Sequence, residues 1–341
     1  MFNKELYNTI YHQTDISNFK FLITGGAGFI GSNLAEYLLR NNAGLVRVLD
    51  NLSNGYAENI SPFEKLANFE FINGDIRDLE TCRKAVDGID YISHQAALGS
   101  VPRSISDPIT SNDVNISGSL NMLVAAKEST SLKRMVYAAS SSTYGDSMAL
   151  PKIEGHEGRP LSPYAVTKAV NEMYAEVFSN IYGLHTIGLR YFNVFGPKQN
   201  PNNPYAAVIS IFCRNFIEGL PSVIFGDGTT TRDFTFIENV VQANVKAMFL
   251  ESISSHDVFN VACGAQISLN DIIDILGKLS GNPMSAQYRE SRKGDIRHSK
   301  ASIAKAQATL GYEPLVNFED GLEIVYRWYK NSGLIKQHQN E

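Results

Sequence analysis

Lys20-Phe21-Leu22-Ile23-Thr24 is a short apolar run that feeds straight into Gly25-Gly26-Ala27-Gly28-Phe29-Ile30-Gly31. After it comes SNLAEYLLRNN, whose apolar residues recur at helical spacing. Strand, glycine turn and helix in immediate succession form the context of a dinucleotide-binding turn. Gly26, Gly28 and Gly31 satisfy G-x-G-x-x-G, and Gly25, Gly28 and Gly31 equally satisfy T-G-x-x-G-x-x-G. Glycines allow a tight turn and close approach to a pyrophosphate, which then sits on the helix N-terminus. A second strand, 45–49, ends at Asp50, 19 residues after Gly31. A carboxylate there can accept from both hydroxyls of an adenosine ribose and would repel the extra phosphate of NADP, so the expected cofactor is NAD. The bland alternative is an ordinary strand-end turn acid.

The alternation continues through strands 69–72, 89–94 and 135–139, with helices at 78–88 and 109–130 between them. Such alternation predicts an α/β fold with a doubly wound parallel sheet, whose ligands bind beyond the carboxyl ends of the strands. Asp50, Asp75, Gln95 and Ser140 all fall there. Asp75 and Ile76 could flank an adenine; alternatively Asp75 caps the next helix. Small Ala96 and Ala97 after Gln95 permit close passage of a cofactor. His94, with no companion ligands nearby in sequence, reads as structural. Residues 1–18 read as a polar lead-in with one short helix. The first domain is assigned to 1–190, with segments at about 236–265 returning to it, and 191–341 mainly to a smaller α/β substrate region. There, helices are expected at 206–218, 236–250, 269–280 and 318–331, and fraying over 332–341.

Ser162 to Gly183 reads as one long helix, with Ser162 as N-cap, Pro163 at the first position and Gly183 as the stop. Tyr164 and Lys168, four apart, share a face. A phenol titrates near 10, and a neighbouring ammonium is expected to lower that value toward a usable general base. The pair alone also fits an exposed helix face. Net charge −5 across 341 residues argues against a nucleic-acid surface, and no apolar run suits a membrane span or signal peptide. Cys82, Cys213 and Cys263 lack paired spacing, so no metal or disulfide is expected, and the usage fits a cytoplasmic protein.

Together, TGGAGFIG, Asp50, the Ser140-Ser141-Ser142-Thr143-Tyr144-Gly145 run and SPYAVTK resemble the extended short-chain dehydrogenase/reductase family, in particular its nucleotide-sugar enzymes. HQAALGSVPRS, AASSSTYGD, LRYFNVFG and GDGTTTRDF look like the UDP-hexose 4-epimerases acting on N-acetylated sugars. The resemblance implies Ser140 as catalytic serine, Tyr164 as base and Lys168 as its electrostatic partner, also bonding the nicotinamide ribose. It places Gly25, Gly28, Phe29 and Ile30 against the cofactor, with Asn51, Ser53 and Gly55 after Asp50, and Tyr191 further on. For the substrate it implies Gly99, Ser100, Ser141 and Gln199 around the sugar. Asn193 would meet the diphosphate or the sugar, Arg232 and Arg292 the diphosphate, and Asp295 the uridine ribose. Ala207, Val208 and Phe225 complete the nucleotide side.

Ser299, four residues after Asp295, stands where the resembling glucose-restricted enzymes carry a tyrosine. A small residue there would admit an acetamido group; equally, Ser299 could cap a following helix. The expected reaction is C4 epimerisation of UDP-GlcNAc to UDP-GalNAc through a 4-keto sugar, with the corresponding uronic acid pair as runner-up. A dehydratase would need an Asp-Glu pair where Ser141-Ser142 stands. A UDP-glucuronate decarboxylase and a non-catalytic NAD-binding protein remain as alternatives. The resemblance also implies a homodimer through helices near 109–130 and 162–182, and a role in supplying sugars for surface polysaccharide.

Overall fold

A computed structural model describes residues 5–202, 207–251, 255–290 and 298–335. Seven strands form one parallel sheet: β1 (Lys20–Thr24), β2 (Leu45–Asp50), β3 (Phe69–Asn73), β4 (Tyr91–His94), β5 (Arg134–Ser140), β6 (Thr186–Tyr191) and β7 (His256–Val261). Their spatial order is β7-β6-β5-β4-β1-β2-β3. Side chains alternate across the pleat. Phe21, Ile23, Val46, Val48 and Val136 enter one core; Leu22, Leu49, Met135, Tyr137 and Ala139 enter the other. A sheet buried on both faces explains why the strands read as unbroken apolar runs.

Helices α1 (Phe29–Arg40) and α6 (Ile237–Met248) cover the first face. Helices α2 (Leu79–Val86), α3 (Ser119–Glu128) and α4 (Pro163–Tyr182) cover the second. The expected helix at 109–130 is broken into Pro108–Asn112, a wide π-turn at Asp113–Gly118, and α3. Ser162 accepts the Ala165 N–H and Gly183 stops α4 in the left-handed conformation, φ 70°, as the sequence implies. α5 spans Val208–Glu218; Ala206, expected to start it, lies outside the described residues. α7 (Leu269–Ser280), α8 (Ala304–Leu310) and α9 (Phe318–Ser332) follow, and 336–341 of the tail also lie outside the description.

Residues 5–18 form no helix. Tyr7 sits at φ 59°, which breaks any helical run, and Leu6, Tyr7, Tyr11 and Ile16 are buried. The segment is a strap across α1 and α6. The Tyr11 ring stacks on Tyr37 at 5.1 Å, and the Tyr7 N–H and Tyr11 hydroxyl both donate to Glu238 Oε1, at 3.0 and 2.6 Å.

The chain order reverses between β1 and β4, which opens a crevice at their carboxyl ends. Beyond it lie three two-stranded ribbons: Val194–Phe195 with Thr235–Phe236, Thr231–Arg232 with Ile267–Ser268, and Val223–Phe225 with Gln287–Arg289.

Candidate active site

The glycine turn sits in this crevice. Gly25 has φ +66°, and a Cβ there would come within 2.7 Å of the Ala96 nitrogen; one on Gly31 would come within 2.4 Å of the Gly25 carbonyl oxygen. Only glycine permits this approach of β1, α1 and the segment after β4. Gly28 is the N-cap of α1 and offers no side-chain acceptor to its first turn. The N–H groups of that turn point where a phosphate would be favoured.

Gly25, Gly28, Phe29, Ile30, Asp50, Asn51, Ser53 and Gly55 line this crevice. So do Asp75, Ile76, Gln95, Ala96, Ala97 and Gly99. Asn54, Leu98 and Val114 line it too and were not singled out from the sequence. Asp50 is nearly buried; its carboxylate accepts the Ala27 and Leu52 N–H groups at 3.0 and 2.8 Å. Burial raises its pKa, and those two bonds oppose the rise. Asp75 does not cap α2; Asp78 does, accepting the Glu80 N–H. Asp75 instead takes a forked pair of bonds from Arg77 and one from Asn51 at 2.8 Å, and the Arg77 bond is the main reason its pKa falls to about 2. A dinucleotide's polar and apolar parts match this lining: a tight phosphate turn, a carboxylate at strand end, and small residues opposite.

His94 is structural, as its sequence context implies. It bridges Thr24 Oγ1 at 2.6 Å and Ser119 Oγ at 2.9 Å, and burial, aided by Lys168, pulls its pKa down to about 3. Gln95 donates to Tyr191 Oη at 3.0 Å, and Asn244 on α6 donates to the same oxygen at 2.9 Å. Tyr191, the last residue of β6, and Asn193, two residues on, thus lead from the crevice to a second cavity.

Ser140 ends β5 and caps the turn Ser141–Tyr144, its hydroxyl accepting the Ser142 N–H at 3.1 Å. The Ser140 side chain acts on the Tyr164 phenol, favouring a lower pKa. Tyr164 is fixed at the start of α4, where its N–H donates to Ser104 Oγ at 3.0 Å. Lys168 Nζ lies 6.0 Å from the centre of the Tyr164 ring. The lowered phenol pKa expected from the Tyr–Lys pair is not found. Burial raises Tyr164 instead, opposed by the Ser140 side chain, and Lys168 donates to the Ala138 carbonyl oxygen at 2.7 Å. Burial pulls Lys168 down to about 8.

The second cavity, of about 500 Å³, is lined by Asn193, Val208, Phe225 and Arg232, together with Arg214, Asn215 and Thr230, which the sequence did not single out. Asn193 is held at φ 35° by donating to the Asp233 carbonyl oxygen at 2.9 Å. Asp233, also missed, is a fully buried hub: its carboxylate accepts N–H groups of Cys263, Gly264 and Ala301, all near 3.0 Å. Ser299 donates its N–H to Thr231 O at 3.2 Å, beside Arg232. It caps no helix, since α8 begins only at Ala304 after Ile303. Ser100 caps the short helix Val101–Ser106, Ser141 opens the turn after β5, and Ala207 precedes α5. Gln199 donates to Val194 O at 3.2 Å, and its Oε1 is buried without a hydrogen-bond partner among the described residues. Arg292 and Asp295 lie outside the described residues.

Residues 21–262 match the NAD dependent epimerase/dehydratase family. The chain belongs to this family. Its cofactor is NAD, in keeping with the crevice described above. The fold is similar to UDP-glucose 4-epimerase of Thermotoga maritima, solved with UDP-glucose: TM-score 0.86 and 34% identity, covering 92% of this chain and 99% of that one. It is also similar to UDP-N-acetylglucosamine 4-epimerase of Methanobrevibacter ruminantium, in complex with UDP-N-acetylmuramic acid: TM-score 0.85 and 36% identity over 91% and 98% of the two chains. A third likeness is UDP-glucuronic acid 4-epimerase of Bacillus cereus, solved with UDP-glucuronic acid and NAD: TM-score 0.85 and 34% identity over 92% and 99%. No described helix is long and apolar enough to cross a membrane.

Proposed function

We propose that the protein is a UDP-sugar 4-epimerase whose preferred pair is UDP-GlcNAc and UDP-GalNAc. The observation that carries the reaction is the grouping of Ser140 at the end of β5 with Tyr164 and buried Lys168 on α4, the lysine Nζ 6.0 Å from the centre of the phenol ring. The similarity to three solved 4-epimerases supports the same reading. The acetamido preference rests on Ser299, a small side chain next to the Thr231–Arg232 ribbon at the second cavity.

Tyr164 takes the proton of the C4 hydroxyl while Ser140 orients that oxygen. Bound NAD supplies the hydride acceptor for C4, the donor on return, and a positive charge that favours the phenolate. The resulting 4-keto sugar turns about its diphosphate bonds, with Arg232 and Arg292 holding the phosphates as arginines hold paired oxyanions. Tyr164 then gives the proton back once C4 has been reduced on its other face. Glycine turn, Asp50 and the Gln95–Ala97 segment hold the cofactor throughout, so none is consumed. Dehydration is disfavoured because Ser141-Ser142 supply no carboxylic acid to expel the 6-hydroxyl.

In this proposal, 1–190 with the returning 236–265 hold the cofactor, and 191–341 mainly hold the UDP-sugar. We also propose a homodimer. Val166, Met173, Tyr174, Val177 and Ile181 form an exposed apolar stripe along α4, with Ile109 74% exposed nearby in the fold. Proton NMR of products from UDP-GlcNAc, UDP-Glc and UDP-GlcNAcA, incubated separately, tests the substrate. Faster C4 inversion of UDP-GlcNAc supports it; preference for UDP-GlcNAcA moves the reading to the uronic pair, and a 4-keto-6-deoxy product refutes epimerisation.

A further inference from the structure

One turn beyond Lys168, α4 carries a buried ion cluster to which the reaction above gives no role. Lys168 is 3% exposed, and its Nζ has the Ala138 carbonyl oxygen as hydrogen-bond acceptor. A carbonyl is a dipole, not a counter-charge. The negative charge that acts on this ammonium is the Glu172 carboxylate. Tyr164, Lys168 and Glu172 are spaced by four residues each, so they stack along one face of α4. Arg190 on β6 grips Glu172 with a fork, Nε to Oε1 at 2.9 Å and Nη2 to Oε2 at 2.7 Å. Its remaining arm reaches Glu157, and its guanidinium lies 5.0 Å over the Tyr144 ring. Fork geometry fixes the carboxylate in place.

We propose that Glu172, clamped by Arg190, is a positioning residue that keeps the buried Lys168 ammonium charged and oriented beside Tyr164. The inference rests on the reading of Tyr164 as the base. The titratable groups packed around the cluster are Tyr164 on α4, His94 on β4, Tyr137 on β5, Tyr144 after β5, and Arg190 on β6. Burial holds His94 neutral and raises the Tyr137, Tyr144 and Tyr164 phenols. Glu172, with its Arg190 clamp, stands next to Lys168 along α4, and Glu157 lies behind them; Glu154, Glu176 and Asp257 act on the flanking tyrosines. Glu172 raises a lysine pKa that burial otherwise lowers. Without it, the ammonium loses its proton at lower pH.

The experiment is the pH profile of kcat/KM for wild type, Glu172→Asp, Glu172→Gln and the double variant Glu172→Gln/Arg190→Met. The double variant also removes the Arg190 cation that Glu172→Gln alone would leave without its forked partner, which guards against simple misfolding of Glu172→Gln. Both Gln variants are expected to move the alkaline limb down by about one pH unit; Glu172→Asp keeps the limb near wild type. Thermal stability gives a readout free of turnover. The Lys168 pKa is about 8 in the folded protein against 10.5 for a free lysine, so the unfolded chain binds more protons between those values. This group's contribution to stability therefore rises with pH across that window, and in Glu172→Gln the rise begins at lower pH. If wild type inverts no UDP-sugar, the functional reading fails. If wild type is active and the Gln variants keep both the alkaline limb and the onset of the stability rise, Glu172 is only a helix-to-strand tie and the inference is overturned.

Discussion

At the scale of single residues, the chemistry depends on how burial and charge divide the protons between Tyr164 and Lys168. Burial pushes the phenol up and the ammonium down, so each resists the ion the reaction needs. The Ser140 side chain and the charges of Glu172 and the cofactor work in the opposite direction. Tyr164→Phe removes the proton acceptor but no part of the crevice lining. Turnover should fall by about 10²- to 10⁴-fold, while NAD binding, followed by calorimetry, stays within a few-fold of wild type. Turnover surviving at wild-type level would reassign the base. Ser299→Tyr fills space beside the Thr231–Arg232 ribbon. It should lower kcat/KM for UDP-GlcNAc by about 10- to 100-fold and leave UDP-Glc much less affected; equal losses on both substrates would remove Ser299 from the sugar pocket. Residue types at this scale were legible in sequence because Asp50, Ser140 and Tyr164 each terminate or begin a strongly patterned element. Their partners were not. Whether Asp75 or Asp78 caps α2, and whether Lys168 meets the phenol or a carbonyl, depends on side-chain directions that spacing alone does not fix.

At the scale of elements, the strands announce themselves because a sheet covered on both faces needs continuous apolar runs. The helix ends are equally readable where Ser162 and Gly183 cap them. The broken helix at 108–128 was not readable. Its apolar period survives the π-turn at Asp113–Gly118, so the sequence shows one helix where the backbone makes three pieces. The two-residue ribbons around the second cavity are too short for any period to show. Helix α4 does two jobs: one face presents Tyr164 and Lys168, and another exposes the stripe that includes Met173 at 64% and Ile181 at 67%. A dimer would cover that stripe. The double variant Met173→Glu/Ile181→Glu should sediment as a monomer while wild type sediments as a dimer. Unchanged mass of the variant would move the interface elsewhere.

At the scale of the whole molecule, the chain crosses and recrosses the sheet's carboxyl edge. β7 returns to the edge beside β6, Asp233 ties the segments at 263 and 301 to the second cavity, and the N-terminal strap locks α1 to α6 through Glu238. The strap carries no sequence period, because its tyrosines act one by one as rings and hydroxyl donors. These ties hold the two cavities in fixed register, which is what a reaction needs if the sugar is to turn while the cofactor stays. The central claim is therefore oxidation and reduction of the same carbon within one closed cycle. Its most direct test is conversion of UDP-GlcNAc carrying deuterium at C4, in ordinary water, followed by NMR of the product. The account predicts inversion at C4 with the deuterium still on that carbon. Inverted product that has lost its C4 label to solvent would contradict it, as would an unchanged C4 centre in every UDP-sugar tried.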